Sequence, residues 1–168
     1  MAFADDLLEQ AYHLANREEP ASQASLRRAV SAAYYALFHL LIDEVVSKWA
    51  VERQRSAIGR TFDHKQMKAV CQSCVKDFYS AGQPESRVRL KDVADAFTIL
   101  QGKRHTADYD VSFNWSRTNA VAQIDLASEA FDDWRAICEQ EAAQDYLLNL
   151  FLPRAAEVLR SSKAESPK

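Results

Sequence analysis

Glycine and proline are nearly absent from this chain, with 3 Gly and 4 Pro among 168 residues. That scarcity excludes collagen-like and proline-rich classes and leaves no glycine-rich phosphate loop or dinucleotide fingerprint. Few turn residues point to helices, and no segment alternates at period two for long enough to make a strand. Cysteine is also sparse, at an odd three, and the first ten residues, MAFADDLLEQ, carry acid where a secretory leader would carry base. A cytoplasmic protein with reduced thiols is expected. The longest unbroken apolar run, Ala32 to Phe38, is far short of the roughly 18 residues that cross a bilayer, so no membrane span is expected. There is no internal repeat, and no biased segment beyond the tail SSKAESPK.

What the chain does have is 48% apolar and 27% charged residues, at a length that suits one domain able to bury about two-thirds of its unfolded surface. Charge is spread unevenly. Residues 1–47 hold three basic and seven acidic side chains, residues 48–105 twelve and six, residues 106–152 two and nine, and the remainder four and two. A basic middle within an acidic chain suits a restricted nucleic-acid or nucleotide site better than general coating of a duplex.

Helical spacing of Ala4, Leu7, Leu8, Ala11, Leu14 and Ala15 predicts a first helix ending near Asn16. A second begins at a Ser22 or Ser25 cap and runs to about Trp49. Its two stripes, Leu26-Val30-Ala33-Leu37-Leu40 and Tyr34-Phe38-Leu41-Val45-Trp49, imply burial on two sides. Between them a polar row, Arg28, Ser31, Tyr35 and His39, projects along one line. Residues 50–62 read as a basic connector with Arg53, Arg55 and Arg60. Asp63 or Thr61 then caps a third helix with the face Met67, Val70, Cys71, Cys74, Val75 and Phe78, ended by Gly82 and Pro84. A fourth starts near Glu85 and buries Leu90, Val93, Phe97 and Leu100; extended by fours, that stripe lands on Arg104 and Asp108. Ser116 or Thr118 caps a fifth helix through Cys138, and Tyr146, Leu147, Leu150 and Phe151 follow in a new phase.

Arg104 stands out, because a guanidinium on an apolar stripe must be paired, either with Asp108 one turn on or with a ligand anion. The Cys71-x-x-Cys74 pair, with His64 seven residues earlier, reads as buried hydrophobe, since no second ligand pair exists and the motif sits mid-helix. No Ser lies on a recognisable nucleophile turn.

Three segments together resemble the HEPN domain, specifically its small bacterial and archaeal group: Leu26-Arg27-Arg28-Ala29-Val30-Ser31-Ala32-Ala33-Tyr34-Tyr35-Ala36-Leu37-Phe38-His39, then Asp63-His64-Lys65, then Arg104-His105-Thr106-Ala107-Asp108-Tyr109-Asp110. The resemblance spans roughly residues 5–138. It implies an all-α, up-and-down bundle of about five helices plus a C-terminal helix, which forms a homodimer and is often encoded beside a nucleotidyltransferase-type antitoxin partner. On that pattern residues 1–140 form the bundle and residues 141–168 a C-terminal helical extension and polar tail. Many relatives of this kind are metal-independent ribonucleases of toxin–antitoxin or defence systems; others are inactive binding modules. No cofactor and no metal are implied.

The ribonuclease motif of that family is Arg, four to six residues, then His. Here the corresponding positions hold Tyr109, Asp110 and Val111, while His105, adjacent to Arg104, points about 100° away around a helix. Arg60 and His64 are too close in sequence and lie in another segment. The expected site is Arg104 facing phosphate, Asp108 orienting it, and His64 or His105 as acid/base, with His64 reaching Arg104 across the bundle. Tyr35, Tyr109, Arg28, His39 and Arg60 are the further candidates for contacts to RNA or nucleotide. The rival readings are a non-catalytic dimerisation module and a metal or thiol sensor on Cys71 and Cys74.

Overall fold

A computed structural model of the protein describes residues 3–60, 62–78 and 82–151. Among them are seven helices and no strand: α1 (Phe3–Asn16), α2 (Gln23–Lys48), α3 (Glu52–Gly59), α4 (His64–Lys76), α5 (Glu85–Tyr109), α6 (Arg117–Ile137) and α7 (Glu141–Phe151). The protein is an all-α bundle built around α2. Ser22 starts that helix by accepting from the Ser25 amide, and no Gly or Pro interrupts its 26 residues. Both expected stripes are used: Leu26, Val30, Ala33, Leu37, Tyr34, Phe38 and Leu41 are all buried. Helix α1 lies along α2, α5 and α6 pack on it as well, and α4 packs on α5. By length and mean hydropathy α2 could span a bilayer, yet 67% of its most apolar window is buried among the other helices.

One core joins these helices. Ala4, Ala11 and Ala15 on α1 share it with Ala29, Ala33 and Ala36 on α2, and such small side chains let two helices approach closely. Phe97, Phe131 and Trp134 fill the side formed by α5 and α6; truncating any of them costs about 3–5 kcal/mol. Ala143, Tyr146, Leu147 and Leu150 bring α7 into the same core. A smaller cluster, Leu26, Val30, Ala107, Trp115 and Ala120, closes the end where α5 turns into α6.

Side-chain bonds to backbone pin that corner. Arg27 donates to the carbonyls of Ala107, Asp110 and Phe113 at 2.8, 2.9 and 2.6 Å. Gln23 gives its amide hydrogen to the Trp115 carbonyl at 2.7 Å and accepts the Trp115 amide at 2.9 Å. The last carbonyls of α5, which have no partners within the helix, are thereby satisfied in part by α2.

Two sequence expectations change. The basic connector 50–62 contains a helix, α3, because Glu52 to Ala57 are helix-compatible and Ile58 is buried. Helix α4 stops at Lys76 rather than at Gly82, so Phe78 lies beyond it. Helix α5 runs to Tyr109, and the helix capped by Ser116 ends at Ile137, with α7 starting separately at Glu141. Asp63 caps α4 by accepting the Gln66 amide at 2.9 Å. The alternative cap Thr61, the helix expected after Pro153 and the polar tail lie outside the described residues.

Candidate functional site

Helices α2, α4 and α5 converge on a polar cluster around His64 and Arg104. His64 is the first residue of α4, directly after its Asp63 cap. Its ring stacks on Phe38 with centroids 4.2 Å apart. Its Nδ1 is 2.7 Å from the Tyr34 hydroxyl, and its backbone carbonyl accepts from Gln101 Nε2 at 2.7 Å. Helix α5 therefore grips the start of α4, and α2 sets the ring.

Arg104 reaches the same place from α5. Its guanidinium carbon lies 5.6 Å from the ring centroids of both Tyr34 and Tyr35, within the range of a cation–π contact. His64 lies 5.7 and 6.1 Å from the same two rings. One terminal nitrogen donates weakly to the Tyr35 hydroxyl at 3.4 Å. Nε is ion-paired with Asp108 Oδ2 at 3.5 Å but is buried without a hydrogen bond. Asp108 is held from the other side by Ser31, which donates to Oδ1 at 2.5 Å. With 17% of its side chain exposed, Arg104 is a cation at the margin of the core, short of donors' partners and open on one side. An unsatisfied buried donor is costly unless something completes it.

The surroundings set the protonation states. Burial pushes the His64 pKa down, and the Arg104 charge pushes it further; Asp63 pulls the other way and His39 adds slightly to the depression. Burial holds the Tyr34 hydroxyl far above the usual phenol range, against the opposing pull of Arg104. His39 is also depressed by burial, offset by Asp43, whose own carboxyl burial raises. At neutral pH the His64 imidazole and the Tyr34 phenol are therefore neutral.

The remaining expected residues are distributed differently. His105 and Tyr109 lie one turn apart with their rings tilted against each other, centroids 4.9 Å, on the exposed side of α5. His39 lies one turn beyond Tyr35 and meets Phe3 edge-on at 4.9 Å. Arg28 is exposed at the near end of the polar row, and Arg60 turns back on its own helix to donate to Ser56 at 2.8 Å. So the structure brings Arg104, Asp108, Tyr35 and His64 together, and leaves His105, Tyr109, Arg28 and Arg60 outside that cluster. Sequence reading missed Tyr34, Gln101 and Ser31 as members of the site. Gln101 could have been found, since it sits one turn before Arg104 on the same face; Tyr34 carried no such signal, because its spacing is that of the core.

The thiols lie elsewhere. Cys71 is fully buried with Sγ 3.0 Å from the Tyr146 hydroxyl, and burial pushes its pKa up to about 12. Among the described residues the one cluster with metal-ligand spacing is Glu44, Cys138 and Glu139, and Lys48 already pairs with both glutamates. A groove of about 580 Å³ between α4, the start of α5 and α7 is lined by Cys74, Asp77, Arg87, Asp145, Tyr146 and Asn149; its charges are mixed and it excludes Arg104 and His64.

Against protein families, curated proteins and solved structures, the chain finds no match.

Proposed function

We propose that the protein is a HEPN-like, up-and-down helical bundle that acts as a homodimer on RNA or nucleotides, recognising phosphate at Arg104, with metal-independent endoribonuclease cleavage of the toxin–antitoxin or defence type as its activity. The observation that carries this reading is the pairing of an under-satisfied Arg104 with His64 over the same two tyrosine rings. A forked cation at the margin of the core suits phosphate recognition, and a nearby imidazole supplies proton handling or a further hydrogen bond. Asp108, restrained by Ser31, orients the guanidinium without neutralising it through a close contact. Tyr109, Val111 and Phe113, exposed in sequence at the end of α5, offer apolar surface for a second copy.

The test is incubation of purified protein with mixed RNA in EDTA. Cleavage leaving cyclic-phosphate or 3′-phosphate ends, lost in Arg104→Ala while the helical circular dichroism signal persists, is the expected result; inertness of the wild type towards RNA, with no binding either, overturns the reading. A second reading is favoured by the absence of His at positions 109–111: a non-catalytic binding module that pairs with a nucleotidyltransferase-type partner. It predicts RNA or nucleotide binding without cleavage, and co-purification of the partner encoded beside it.

A further inference from the structure

We infer that Tyr34 is a positioning residue that holds His64 in its Nε2–H tautomer, so that the ring meets a phosphodiester as a hydrogen-bond donor beside Arg104 rather than as a base. The inference rests on the phosphate-recognition reading and assigns its ligand class and the role of its histidine.

The first support is proton accounting. Tyr34 is fully buried, so its O–H must find an acceptor. Among the described residues the acceptor within reach is Nδ1 of His64, at 2.7 Å. The Gln101 Nε2 donates to the His64 carbonyl at 2.7 Å and holds the start of α4 in place. A buried phenol with that one acceptor in reach gives its proton to Nδ1. A ring nitrogen that accepts cannot also carry the proton, so the proton of the neutral ring sits on Nε2. Stacking on Phe38 at 4.2 Å fixes the ring plane, which leaves rotation of the imidazole no easy route to exchange the two nitrogens.

The second support is charge. The groups facing His64 are Arg104 from α5, Tyr34, Tyr35 and His39 from α2, and Asp63 from its own helix start. Arg104 is partly offset by Asp108 at 3.5 Å, and the imidazole is neutral. With Asp63 also at hand, such a site carries no excess positive charge. It suits the single negative charge of a diester linkage better than the two charges of a terminal phosphate. The Arg104 guanidinium, which keeps 17% of its side chain exposed, and the His64 Nε2–H would then offer one phosphate two donors of different strength, an arrangement for binding it and for stabilising charge that builds on the phosphorus.

The experiment is long-range ¹H–¹⁵N NMR on the full-length protein at pH 7.5, with and without a short 2′-O-methylated oligoribonucleotide, which cannot be cleaved. The expected His64 pattern is that of the Nε2–H tautomer in the wild type and a mixture in Tyr34→Phe, with oligonucleotide binding weakened about three- to tenfold in that variant. His64→Gln, whose amide can place an N–H where Nε2–H stood, is expected to recover part of the affinity lost in His64→Ala. Adenosine monophosphate is expected to bind more weakly than the oligonucleotide. A wild-type ring in the Nδ1–H or charged form overturns the inference. Oligonucleotide-induced shifts at Arg104 with none at His64 also overturn it while leaving the phosphate reading intact; no shift at either residue overturns that reading and the ligand assignment with it.

Discussion

Ser31 on α2 donates its hydroxyl to Oδ1 of Asp108 on α5 at 2.5 Å, turning the carboxylate so that only Oδ2, 3.5 Å away, faces Arg104. The serine is 4% exposed, so this bond is shielded from competing water. It decides how much of the Arg104 charge is left for a ligand. Ser31→Ala frees Asp108 to close on the guanidinium. The expected outcome is a loss of about 1–3 kcal/mol in urea denaturation, from the hydrogen bond to a charged group, together with weaker RNA binding in a fluorescence anisotropy titration. Unchanged affinity would show that the carboxylate does not compete with the ligand.

Removing the guanidinium itself separates function from fold. Arg104 makes one weak hydrogen bond, a 3.5 Å ion pair with Asp108 and contacts to two tyrosine rings, so Arg104→Gln is expected to cost about 1–2 kcal/mol and leave the protein folded. A charge-assisted bond is worth about 1.5–3 kcal/mol, and oligonucleotide affinity should fall by roughly tenfold to a hundredfold. Thermal melting of the variant alongside the titration checks both halves.

Protonation gives a third prediction. The pKa values of His64 and His39 are both lowered from 6.5 in the fold, chiefly by burial. Below that value the unfolded chain binds protons that the folded chain resists, so stability rises with pH across that window. The contribution is complete above about pH 7 and is lost as pH falls through 6.5, levelling off only below the depressed folded values. Thermal melts between pH 5 and 8 should show Tm falling on the acid side, with a shallower fall in His64→Gln.

Arg27 was read in the sequence only as part of a motif; its guanidinium closes three backbone carbonyls at the corner between α5 and α6. Arg27→Ala is expected to lower stability by about 1–3 kcal/mol, since three bonds from a charged donor, one of them to the carbonyl of buried Ala107, are lost together. Arg27→Lys should restore little of it, because an ammonium cannot reach three divergent oxygens in the geometry of the planar fork. Urea midpoints of the two variants decide the matter.

Alkylation should follow burial. Cys71, with its pKa pushed up to about 12 and its sulfur against Tyr146, is expected to resist iodoacetamide in the native protein at pH 8, while Cys138 and Cys74, which are partly exposed, react first. Peptide mapping by mass spectrometry reads the order.

The helices were legible because their spacing is the signal: Leu90, Val93, Phe97 and Leu100 point into the core as their period required. Ser22, Asp63 and Ser116 cap α2, α4 and α6 as their side chains suggested. Helix α3 was hidden because its polar residues bury little besides Ile58, so no stripe announced it. Arg104 could be singled out because a cation interrupted an apolar line. Tyr34 could not, since its ring obeys the core period and only its hydroxyl, at the far tip, enters the polar cluster. Nor does any spacing announce that a residue at the start of α4 and one near the end of α5 will face the same pair of rings; that is a property of how α4 docks.

The grip of Arg27 on the end of α5 also shapes the electrostatic approach to the cluster one turn away. A helix terminates in a partial negative charge spread over its last carbonyls, and an incoming polyanion would be turned aside by it. With a permanent cation plugged into the Ala107, Asp110 and Phe113 oxygens, that end of the rod is muted, and the landing zone beside Arg104 loses the nearest source of repulsion from the backbone.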